Sequence, residues 1–114
     1  MTRQEASERY HIPLSVLQAY ESWNLRGTEN RAAGAWEYDD EDLQRLSTIL
    51  TLRDVGFTEG ETETYMRLLA EQPEQNQERL RMMEEKREET LEEIHFHERQ
   101  LARLDYLRHE LQTK

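Results

Sequence analysis

The 38 residues from Glu74 to Leu111 contain neither glycine nor proline, and this unbroken stretch limits the fold more than any other feature of the chain. Its Glu, Arg, Leu and Gln content predicts one continuous helix, which at about 1.5 Å per residue would extend about 55 Å. The residues before it are too few to offer a surface of that length. Leu80, Met83, Leu91, Ile94, Leu101, Leu104, Leu107 and Leu111 recur at steps of three, four and seven, with breaks near Arg87 and Glu98. That is the spacing of a coiled-coil seam, and a seam needs a partner helix. The reading is therefore a homodimer joined through residues 73–114, with the Glu/Arg-rich stretch 84–99 as its solvated exterior.

Residues 1–72 read as a separate small head. Residues 3–10 form a short helical candidate, and the chain turns at His11-Ile12 before Pro13, placed here at the first position of a second helix, where its missing N–H costs nothing. Val16, Leu17, Tyr20 and Trp23 or Asn24 continue that helix with a helical apolar period. Two short helices with a tight turn make a helix-turn-helix candidate. Gly27 and Gly34 punctuate a loop or small hairpin, read as a wing. Asp39 or Asp40 then caps a third helix with Leu43, Leu46, Ile49, Leu50 and Val55 on one face and Gly56 at its end. Thr58 and Glu61 have the spacing of a capping box for a fourth helix, which stops before Pro73. The fold class is all-α: a winged helix-turn-helix head followed by a long dimerisation helix.

Charge bears on the choice of partner. The chain carries a formal net charge of −10, which opposes non-specific affinity for nucleic acid, because that affinity comes from Lys and Arg displacing counterions. The charge is unevenly spread. Residues 1–38 hold four Arg against five Glu (−1), residues 39–72 three Arg against nine acids (−6), and residues 73–114 eight bases against eleven acids (−3). The helix-turn-helix thus lies in the least acidic third.

Three segments carry a resemblance to a known family. Leu17-Gln18-Ala19-Tyr20-Glu21-Ser22-Trp23-Asn24-Leu25 resembles the run Leu-Arg-Tyr-Tyr-Glu-x-x-Gly-Leu of the MerR recognition helix. Tyr38-Asp39-Asp40-Glu41-Asp42-Leu43 resembles Tyr-x-x-x-Asp-Leu, and Leu52-Arg53-Asp54-Val55-Gly56-Phe57-Thr58 resembles Leu-Arg-x-Leu-Gly-Phe-Ser. The resemblance spans residues 3–70. It implies a twofold dimer on an antiparallel coiled coil, each second helix in a major groove, each wing on the flanking backbone, and a duplex that is distorted on binding.

The departures from the family text bear on how DNA would be held. Gln18 stands where the family has arginine, Ala19 where it has a tyrosine, and Trp36 and Glu37 align with its usual wing arginines. The residues left to contact DNA are Arg3, Arg9, Arg26 and Arg31, with hydrogen bonding from Ser15, Gln18, Tyr20 and Tyr38. Gln18 has the donor and acceptor for an adenine edge. Trp36 is read as core against Trp23. The alternative reading is a dimeric adaptor or anti-regulator whose head binds another protein, favoured by the net charge and by Gln18, Ala19, Trp36 and Glu37.

Other chemistry finds no support in the residues. There is no cysteine, no phosphate-cradling glycine loop and no nucleophile elbow, and His95 and His97 lie about 200° apart on a helix, not on one face as a metal pair requires. The expectation is a non-enzymatic protein without metal or cofactor. No apolar leader or stretch of about 18 apolar residues occurs, so a soluble, cytoplasmic protein away from membranes is expected.

Overall fold

The computed structural model describes residues 1–25, the backbone of residues 31, 32, 35 and 36, and residues 37–114. The chain divides into two units, Met1–Asn76 and Gln77–Lys114.

In the first unit, α1 (Arg3–Tyr10) begins at a capping box in which Thr2 and Glu5 satisfy each other's backbone N–H groups. It ends at His11, which takes the left-handed conformation at φ 55°. The sharp turn is secured by Ile12, whose N–H bonds to Ser7 O at 3.2 Å and whose carbonyl accepts from Ser7 Oγ at 2.7 Å. Ile12 itself is buried. Pro13 precedes α2 (Leu14–Trp23) as its cap, one residue earlier than the sequence reading placed it. Its ψ of 137° is extended, and its carbonyl already accepts the first helical bonds from Val16 and Leu17.

Asn24 closes α2 in the left-handed region at φ 53°, a conformation asparagine tolerates better than most residues. Across the unit, Arg67 donates to the Trp23 carbonyl at 3.0 Å, satisfying one of the acceptors that every helix end leaves over. The strands β1 (Arg31–Ala32) and β2 (Ala35–Trp36) pair antiparallel, Arg31 opposite Trp36 and Ala32 opposite Ala35. The loop or small hairpin read around Gly27 and Gly34 thus contains an antiparallel strand pair. Arg26 and the question of Trp36 packing on Trp23 lie outside the described residues, although Trp23 is buried.

Asp39 caps α3 (Asp40–Asp54) and shares a capping box with Asp42. At the far end Phe57 N–H bonds to Leu52 O at 3.0 Å and Gly56 N–H to Arg53 O at 3.1 Å, the paired bonds of a Schellman ending. Gly56 sits at φ 102°, where a side chain would be strained. At this ending Val55 is 51% exposed, whereas Leu52 before it and Phe57 after it are buried. The one-face pattern that includes Val55 thus carries the helical period one residue past the helix, which ends at Asp54. Thr58 and Glu61 form the expected capping box of α4 (Glu59–Glu71), which terminates ahead of Pro73. Ala6, Leu17, Tyr20, Leu46, Ile49 and Met66 are the most deeply buried apolar side chains. In this unit Met66 is thus core.

The second unit is one helix, α5 (Gln77–Gln112), of 36 residues and about 54 Å. The long helix read from the absence of Gly and Pro is present. Among the described residues no helix is long and apolar enough to cross a membrane.

Candidate nucleic-acid interface

The two faces of α2 have different chemistry because its ten residues are patterned by the helical period. Leu17, Tyr20, Glu21 and Trp23 are buried. Ser15, Gln18 and Ser22 are exposed and Ala19 is half-exposed, so that positions 15, 18, 19 and 22 form one stripe at the i, i+3, i+4, i+7 spacing. Two of the expected contact residues, Ser15 and Gln18, thus share an open face. A shallow groove of about 200 Å³ includes Ser15 and Ala19 of this stripe and is completed by Val16, Trp23, Ile49, Arg53 and Glu59.

Tyr20 and Tyr38 are elsewhere. Expected to hydrogen-bond the duplex, they are 1% and 4% exposed, their rings stacked at 6.2 Å. The Tyr20 hydroxyl donates to Asp42 Oδ1 at 2.5 Å, and the Tyr38 hydroxyl to Glu21 Oε2 at 2.5 Å. Their hydroxyls serve the interior of the head because two carboxylates are buried with them, Glu21 on α2 and Asp42 on α3. Burial, and next the hydrogen bond to the neighbouring carboxylate, pushes both phenols well above their ordinary value of 10.0.

Each buried carboxylate also has a cation. Arg3 approaches Glu21 with Nε at 2.9 Å and Nη2 at 2.6 Å, a two-pronged contact that, with the hydrogen bond as its larger cause, raises the guanidinium pKa further. Arg45 lies 3.7 Å from Asp42. Arg3 therefore anchors α1 to α2, and only its exposed flank, 46% of the side chain, faces solvent.

The remaining candidates are distributed differently. Arg31 lies in β1, and Arg26 lies outside the described residues. Glu37, aligned with a family arginine, receives the Met1 ammonium at 3.0 Å, while Tyr38 N–H bonds to Met1 O at 2.7 Å. The sequence reading gives Glu21 and Asp42 no role, although both stand at matched positions of the family runs quoted above. Glu21 follows Leu17 and Tyr20 at i+4 and i+1, on the same apolar face, where a charge needs a partner.

On α5, Leu80, Ile94 and Leu101 fall on one heptad position and Met83, Leu104 and Leu111 on the position three residues later. Leu80, Ile94, Leu101, Leu104 and Leu111 are all exposed, Leu111 to 73%, and Met83 and Leu91 are half-buried. A single chain leaves this apolar stripe largely in water.

The order of elements, two helices around a tight turn, a two-stranded pair and two further helices, agrees with the comparison to known families. The family model for MerR helix-turn-helix regulatory proteins matches residues 1–69. No curated protein and no solved structure matches the chain. The matched segment covers α1 to α4 up to its last turn, includes every buried residue of the Tyr20, Tyr38, Glu21 and Asp42 network, and supports a regulator-like, DNA-binding role in general. The chain belongs to the MerR helix-turn-helix family of regulatory proteins.

Proposed function

We propose that this chain is a homodimeric transcription regulator that binds pseudo-palindromic duplex DNA and distorts it. The observation that carries the reading is the open, uncharged face of α2 within a segment that matches a family of helix-turn-helix regulators. Ser15 and Gln18 contact the major groove, Arg26 and Arg31 the flanking backbone, and the stripe on α5 joins two copies so that two heads address two half-sites. Residues 1–72 are the DNA-binding part and residues 73–114 the dimerisation part. With few cations to neutralise phosphates, binding has a shallow salt dependence.

The second reading, an adaptor that binds another protein, draws on the engagement of Arg3 with Glu21 and the burial of Tyr20 and Tyr38, which remove three groups from the phosphate-binding set. A titration of the full chain against a pool of genomic duplex fragments at about 50 mM salt separates the two, since electrostatic contacts are strong there. Saturable retention of a subset of fragments is expected. Absence of duplex binding at that salt replaces the regulator with the adaptor.

A further inference from the structure

The chemistry of the α2 face also says which bases it reads. The single charged residue of α2 is Glu21, and it is buried against Arg3 and Tyr38. The exposed stripe of Ser15, Gln18, Ala19 and Ser22 therefore carries no cation and no carboxylate. In the major groove guanine offers two acceptors, best met by an arginine or lysine, and cytosine offers a donor, best met by a carboxylate. Neither group is supplied by α2 on this face. Adenine presents an acceptor beside a donor, the complement of a carboxamide such as Gln18, and thymine presents a methyl group that a small apolar side chain such as Ala19 can meet.

The two serines do not alter this balance, because a hydroxyl donates or accepts and so suits either base pair. The Ser22 hydroxyl moreover donates to the Ala19 carbonyl at 2.7 Å, which turns its proton back onto the helix. Arg53 and Glu59, from the end of α3 and the start of α4, line one groove with Ser15 and Ala19 of the stripe, so the charged groups beside it come from outside α2. Residues 15 to 22 span about 10 Å of helix, the length of about three base pairs.

We infer that α2 selects A·T over G·C in each half-site, with Gln18 hydrogen-bonding the N6 and N7 edge of one adenine and the Ala19 methyl packing on a neighbouring thymine methyl. The inference rests on the duplex-binding reading above and adds to it the class of sequence recognised. It predicts selectivity without a guanine contact from this helix.

The test uses the full-length protein and a duplex selected from a randomised library. Two or three A·T pairs per half-site are expected where α2 docks. In that duplex, replacing single adenines by 7-deazaadenine, which removes the N7 acceptor, weakens binding at one position per half-site. Replacing thymine by deoxyuridine, which removes only the methyl, weakens it at an adjacent position. Gln18→Ala, at an exposed site where the fold does not depend on the side chain, lowers the preference for adenine at the first position by roughly 5- to 150-fold and abolishes the effect of 7-deazaadenine there. Selection of G·C at the docked positions, or tight binding that ignores both base analogues and Gln18→Ala, overturns the inference while leaving duplex binding intact. Failure to bind any duplex overturns the regulator reading itself, and this inference with it.

Discussion

Tyr38 and Glu21 share a hydrogen bond at 2.5 Å that ties the segment after the hairpin to the second helix, and Arg3 grips the same carboxylate from the first helix. One acidic side chain thus joins three parts of the head. Glu21→Ala removes the short, charged acceptor of the buried Tyr38 hydroxyl and leaves it the longer contact to the Leu17 carbonyl at 3.5 Å, at a cost of roughly 1–3 kcal/mol, with a smaller addition from the half-exposed Arg3 pair because water screens it. Against a total stability of about 5–15 kcal/mol this is a large fraction. Urea unfolding of the variant measures it, and a loss within about 0.5 kcal/mol would remove the network from the account of stability.

The two buried phenols give the head an alkaline limit. Their folded pKa values lie above the ordinary 10.0, so the folded state keeps these protons at a pH where the unfolded chain has lost them. The slope of stability with pH is set by the protons that the native state holds in excess, so stability falls as pH rises through this range. The contribution is fully present below pH 10 and declines progressively above it. Unfolding midpoints measured from pH 8 to 11 should show this decline, and Tyr38→Phe should make it less steep. An identical slope in that variant would mean that Tyr38 does not titrate with unfolding.

The exposed stripe on α5 sets a test of assembly. Placing Asp at both Ile94 and Leu101 inserts carboxylates into the proposed interface, where an unpaired buried charge costs several kcal/mol or more. Sedimentation equilibrium should find a dimer for the natural chain at micromolar concentration and a monomer for the double variant. A double variant that remains dimeric would locate the interface on other residues.

Arg3 and Arg31 separate in their effects. Arg3 is engaged with Glu21, so Arg3→Ala should lower stability more than it alters the salt dependence of DNA binding. Arg31→Ala should weaken binding to all sequences alike and reduce the salt slope by about one charge. A combined urea and salt titration series measures both, and equal salt slopes for the natural chain and Arg31→Ala would exclude a backbone contact by that residue.

Local chemistry made much of this architecture legible in the sequence. Thr58 and Glu61, Asp39, Gly56 and Pro73 mark helix ends through bonds or conformational limits that involve neighbours only a few residues away, and the structure uses each of them in that role. The absence of Gly and Pro after Glu74 is likewise sufficient for a long helix. Burial of polar groups is a different kind of property. Tyr20 and Tyr38 read as groove-facing hydroxyls until α2 and α3 bring Glu21 and Asp42 against them, over separations of 17 and 22 residues. Val55 falls outside the core where the Schellman ending turns the chain, and Phe57 beyond the turn is buried. A side chain's period names the face on which it lies, but which face is inside, and whether a polar group there finds its partner, is decided by contacts that exist only once the helices have packed.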